Sequence, residues 1–159
     1  MNIYVLSRDV AEAARYHVDR HVAKMIVESA QILCTVLYDT GVSAPYRPTH
    51  RHHPAVRWAQ ASLANWRWSR ALALALNDEY RYRFRRPHDH RSAIVIRSLP
   101  EPDLPDRGLT PFAQIMPEPN RRDDPVAAYR AFYAAEKAHL ARWTRRPVPE
   151  WWPTGGSAV

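Results

Sequence analysis

Apolar positions return every three or four residues through the first third of the chain. Val18, Val22, Met25, Ile32, Leu33 and Val36, with Ser29 among them, share one arc of a helical wheel. Ahead of them, residues 2–6 alternate weakly and predict a short extended entry, and Asp9 with Glu12 gives a helix start of the capping-box type. The periodicity predicts one long helix to Asp39, stopped at Gly41, with a break near Asp19 as the alternative to an unbroken run.

Residues 40–53, rich in Pro, Gly, Thr and His, predict a loop, and Pro54 suits the first position of the next helix. That helix carries Trp58, Trp66, Trp68 and an Ala-Leu repeat to about Phe84, with an interruption near Asn65. A shorter helix follows over 89–98, capped by Asp89, with Ile94, Val95 and Leu99 as its apolar face and Pro100 as its end. Six prolines between 100 and 124 exclude a long regular element and predict an ordered surface loop with one turn at 112–116. Asp124-Pro125 starts the last helix, which Val126, Tyr129, Tyr133 and Leu140 carry to about Trp143. The fold class is therefore all-α: a single compact domain of about five helices over 1–153, with a short extended N-terminus, a long proline-rich loop and a flexible tail at 154–159.

A chain of 159 residues can bury a sizeable core without staples. Its longest apolar run, 71–76, is too short to cross a bilayer. The start lacks the charged and apolar regions of a signal peptide, and a lone cysteine, Cys34, cannot close an internal disulfide; both predict a cytoplasmic protein. The formal charge of +7 makes nucleic acid the first partner to consider, DNA ahead of RNA, with no membrane and the oligomeric state open.

Chemistry gathers on the first helix. His17, His21, Lys24 and Glu28 stand at i, i+4, i+7 and i+11, a strip about 60° wide. Lys24 is one of only two lysines, the other being Lys137. The strip borders the apolar arc through Met25 and Ile32, where desolvation favours an uncharged, nucleophilic amine and a protonated carboxylate. The plain structural alternative is an ordinary Lys24–Glu28 pair with both histidines bonded to loop carbonyls. His17 and His21 also match the spacing of zinc-binding helices, with Glu28, His50 or His53 as third ligand, although Val18 stands where the zinc-protease motif needs Glu. No cofactor is predicted on the leading reading, and a divalent metal is the alternative.

Two basic stretches invite phosphate. In Tyr46-Arg-Pro-Thr-His-Arg-His-His-Pro54, Arg47, His50, Arg51 and His53 precede a helix N-terminus, a natural anion seat. Between Arg81 and Arg86, the cations Arg81, Arg83, Arg85 and Arg86 alternate with aromatics, as surfaces do that combine phosphate contacts with base stacking. Asn65 shares a face with Trp58, Ser62 and Ser69 that suits either a base-sized pocket or close helix packing, packing being favoured. Gln114 offers an amide from the proline-rich loop. Trp151 and Trp152 read best as pins holding the C-terminal segment to the core.

The start Asn-Ile-Tyr-Val-Leu, the run from His17 to Gln31, the histidine-rich loop and Leu-Thr-Pro-Phe-Ala-Gln together resemble a group of small phage and bacterial proteins to which no reaction is assigned. More distantly, the small, basic, helical layout resembles the phage endonuclease V type of pyrimidine-dimer DNA glycosylase. Members of that family form a Schiff base between an N-terminal amine and the sugar, assisted by a first-helix glutamate, and flip a base from bent DNA. Their His-to-Glu spacing is matched by His21 and Glu28. The resemblance implies a DNA partner, with Met1 as the amine; Asn2 is too large for efficient removal of Met1, and Lys24 is the substitute amine on the face of Glu28. Three functions follow as expectations. The first is glycosylase/lyase-like or base-modifying catalysis by Lys24 or Met1 with Glu28, the histidines positioning substrate. The others are a metal-dependent enzyme on a nucleotide or small molecule, and a non-catalytic nucleic-acid-binding module.

Overall fold

The predicted first helix is two helices, because a guanidinium from far along the chain ends the first of them. In the computed structural model, which describes residues 1–153, α1 spans Val10–Tyr16 and α2 spans Asp19–Asp39. The Arg83 guanidinium donates to the carbonyls of Ala14, Arg15 and His17, occupying the acceptors that a helix C-terminus leaves free. His17 and Val18 are extended, the Val18 N–H donates to Tyr133 Oη, and the Asp19 N–H donates to the Arg142 carbonyl. Asp9 caps α1 through the Glu12 N–H, as its position predicts. Gly41, with φ at +85°, supplies the left-handed turn that stops α2.

Helix α3 spans Pro54–Gln60 and α4 spans Leu63–Arg83, so the interruption falls at Ala61-Ser62 rather than at Asn65. Asn65 folds back instead, donating to the Trp58 carbonyl and Thr110 Oγ1 and accepting the Thr110 N–H. Ser62 donates to the Gly108 carbonyl and accepts from Arg107. The α3–α4 elbow is thus the dock for the proline-rich loop. Helix α5 spans Arg91–Ser98 and is capped by His90, not Asp89, whose carboxylate is taken by Asn77, Arg81 and Arg97. Ile94 faces solvent, and Ala93 and Ile96 face the core in its place. No turn of helix forms at 112–116; a 3-10 turn forms at Glu118–Asn120. The last helix, α6, spans Pro125–Glu136 and stops short of Trp143, with a 3-10 turn at Ala138–Leu140.

The six helices make one all-α domain in which α2 and α4 pack together at the centre, α1 lies on α4, and α3 and α5 lie on α2. The described residues contain no strand, and no described helix is long and apolar enough to cross a membrane. Ile26, Leu33, Leu37, Trp66 and Leu76 are fully buried, each contributing about 2 kcal/mol of apolar burial. The N-terminal segment is sunk into this core from Ile3 to Leu6 and turns at Val5, where the Leu6 N–H donates to the Tyr4 carbonyl. Asn2 Nδ2 donates to the Ile115 carbonyl, while Tyr129 Oη accepts from the Ile115 N–H and donates to the Ala113 carbonyl. Trp152 packs edge-on against Trp143 and Tyr133, pinning the C-terminal segment. The tail predicted at 154–159 lies outside the described residues.

Candidate active site

Splitting the helix splits the polar strip. His17 ends α1, and both it and His21 point inward, at 0% and 3% exposure, while Lys24 and Glu28 stay on the outer edge of α2. His17 Nδ1 donates to the Ala13 carbonyl, leaving Nε2 buried without a partner. His21 stacks on Tyr4, ring centroids 5.0 Å apart and 6° from parallel, and its Nδ1 bonds to Tyr133 Oη at 2.9 Å. Burial drives the His17 imidazole down to about 4, with the Arg83 charge adding to it against the Ala13 bond. Burial lowers His21 to about 3, and the charges of His17, Lys24, Lys137 and Arg20 add to it. Both rings are neutral core groups rather than substrate-positioning groups on the surface. Among the described residues no three His, Cys, Asp or Glu side chains gather as a metal site, and His50 and His53 lie on the loop rather than beside His17 and His21.

Glu28 is where amines converge. Its carboxylate is 14% exposed; Oε2 accepts the Asn2 N–H at 2.9 Å and lies 3.9 Å from the Met1 α-amine. Oε1 is 3.5 Å from Lys24 Nζ. The Met1 side chain is 4% exposed, so the α-amine is held by a packed thioether and by the Asn2–Glu28 bond. Lys24, at 57% exposure, reaches in from solvent and lies outside the desolvated boundary expected of it. Tyr4 closes the inner side: burial, then the Glu28 charge, pushes its phenol up to about 12, against a hydrogen bond from the Asn2 side chain. His53 caps α3 by accepting the Ala55 N–H. Burial first, then the charges of the terminal amine and His50, depress its imidazole, and the Glu28 charge opposes them.

The remaining sequence-derived binding residues divide. Arg47, His50 and Arg51 are exposed on the loop, Arg51 pairing with Asp39. Arg85 and Arg86 are exposed beyond α4, and Arg81 is tied to Asp89 and the Pro87 carbonyl. Arg83 is a correction: its side chain is wholly buried, paired with Asp19 and Glu79, and offers nothing to a phosphate. Burial alone would raise Glu79, but Arg146 and Arg83 overcome it and hold the carboxyl below its usual range. Asn65 is likewise buried in the elbow, and Gln114 is spent on the backbone of Arg122. Asn2 and Tyr4 were marked only as part of the Asn-Ile-Tyr-Val-Leu start and were given no role there; burial of the segment brings the Asn2 N–H to Glu28. No family model, curated protein or solved structure matches this chain.

Proposed function

We propose that the protein acts on nucleic acid by amine chemistry of the glycosylase or abasic-site lyase kind, with Glu28 as its proton carrier. The observation that carries this reading is one partly buried carboxylate with the Met1 α-amine at 3.9 Å from one oxygen and Lys24 Nζ at 3.5 Å from the other. The amine in its neutral form adds through its nitrogen lone pair to C1′ of a deoxyribose, and the C1′–base bond breaks with its electron pair going to the base. The proton that the new secondary ammonium sheds passes through Glu28 to the departing base. At an abasic site the same amine condenses with the C1′ aldehyde, and water leaves as the iminium forms. Met1 is the better-held nucleophile, because its side chain is packed and the bond between Asn2 and Glu28 fixes its backbone. Lys24 is the second amine of the pair. The basic composition supports a polyanionic substrate.

Borohydride reduces an iminium to a stable amine, so wild-type protein mixed with abasic-site DNA and borohydride is expected to give a covalent protein–DNA band. The same mixture with undamaged DNA should give none unless glycosylase action first releases a base. Absence of the band on abasic DNA removes the Schiff-base reading.

A further inference from the structure

Arg20 and Lys24 stand four residues apart on the exposed edge of α2, and Lys137 precedes the 3-10 turn whose Leu140 N–H donates to its carbonyl. Beside them lies an open groove of about 530 Å³, lined by Asp19, Arg20, Phe84, Leu140, Arg142 and Thr144. Its one carboxylate is already engaged, since Asp19 pairs with Arg83 and Arg142 and accepts from Thr144. Among the described residues Arg20 and Lys137 have no carboxylate partner, and Arg142 is 81% exposed despite its contact with Asp19. The groove is therefore cationic, with an aromatic ring in its wall.

Further along the same edge of α2, a second groove of about 580 Å³ runs between Val27, Gln31 and the loop from Pro45 to Thr49, Arg47 included. Arg20, Lys24, Glu28 and Gln31 follow one another at i, i+4, i+8 and i+11, so the amine–carboxylate pair lies between the two grooves. At 1.5 Å per residue, Arg20 to Gln31 covers about 16 Å along α2.

We propose that the exposed edge of α2 is a track for one nucleic-acid strand. Phosphates sit on Arg20 and Arg142 in the groove walled by Phe84 and on Lys137 next to its Leu140 wall, the strand passes Glu28, and it continues into the groove beside Arg47. Phe84 offers a face for a base, as single-strand-binding surfaces do. The placement of the reacting nucleotide over Glu28 rests on the amine chemistry proposed above; the track itself rests on the grooves and the unpaired cations.

Fluorescence anisotropy with a labelled, undamaged single-stranded oligonucleotide tests it across a salt series. Each phosphate contact contributes about 0.7 to the slope of log affinity against log salt for a single strand. The triple variant Arg20→Ala, Lys137→Ala, Arg142→Ala is expected to lose about two in slope and about 100-fold in affinity at about 0.1 M salt. A control triple, Arg70→Ala, Arg97→Ala, Arg107→Ala, removes the same charge from α4, α5 and the proline-rich loop and is expected to keep the wild-type slope. Thermal melts of both variants confirm that each is folded at the assay temperature. Equal losses in both triples, an unchanged affinity in the first, or wild-type protein that binds no oligonucleotide overturns the track. Wild-type protein that binds through these residues yet forms no borohydride adduct leaves the track standing and removes the amine chemistry. An adduct on abasic DNA together with normal binding by the first triple does the reverse.

Discussion

Lowering the pH should destabilise this protein before its carboxylates titrate, because two histidines are held neutral in the core. His17 and His21 are held at about 4 and about 3 in the fold, against about 6.5 for an imidazole in an unfolded chain. A group whose folded value is depressed contributes stability in full above the unfolded value and loses it as the pH falls, down to the folded value. At about pH 5 the unfolded rings are almost fully protonated while the folded ones are not, a difference of about 1.5 pH units or about 2 kcal/mol per ring. The pair together should cost about 4 kcal/mol between about pH 7.5 and pH 5, a large part of the stability of a domain this size. His53 and His90, also depressed first by burial, act with the same sign. Urea unfolding at closely spaced pH values measures the slope, which should approach two protons near about pH 5. His21→Gln should reduce that slope by about one proton whatever it does to absolute stability. A flat profile above about pH 5, or an unchanged slope in His21→Gln, would refute the assignment of both rings as neutral core groups.

Three further outcomes separate structural residues from functional ones. Arg83→Met leaves Glu79 and Asp19 short of a buried partner and strips three carbonyls of their donor, and urea midpoints should show a loss of about 3–5 kcal/mol. Arg85→Ala, two residues on and exposed, should stay within about 0.5 kcal/mol. Asn65→Ala should cost about 1–3 kcal/mol and open the loop around 105–111 to limited proteolysis, because it orphans the Thr110 N–H. Glu28→Gln should lower single-turnover reaction on abasic DNA by about 10²–10⁴-fold while leaving the salt slope of oligonucleotide binding as in wild type.

Local signals were legible where local chemistry decides. Pro54 and Pro125 open helices, Asp9 and Asp124 cap them, Gly41 stops one, and the proline-rich stretch is an ordered loop without helix until Glu118. The break falls where the alternative near Asp19 put it, but its cause was hidden, because the acceptors and donors it frees are satisfied by Arg83, Tyr133 and Arg142, all distant in sequence. The break takes His17 out of the strip, while His21, on α2 with Lys24 and Glu28, lies on the side of the strip that packs against Tyr4 and Tyr133. Arg83 misleads because cations and aromatics alternate around it, yet its helical phase is visible: Leu72, Leu76, Glu79 and Arg83 stand at i, i+4, i+7 and i+11 on the buried face of α4. Glu28 gains its amine from the chain start, a contact that no periodicity encodes. The cations beside the outer edge of α2 come from α2 itself, from the 46–54 loop and from residues 137–142, and of these the sequence marked Arg47 through its loop and the two lysines through their rarity.

The central claim is that an amine beside Glu28 bonds to the sugar of a nucleic acid. Borohydride trapping on abasic DNA, followed by proteolysis and mass spectrometric mapping of the adduct, tests it most directly. The account expects the sugar remnant on the Met1 α-amine or on Lys24 Nζ, and a much weaker adduct in Glu28→Gln. No adduct with wild-type protein, or an adduct carried by any other residue, would contradict it.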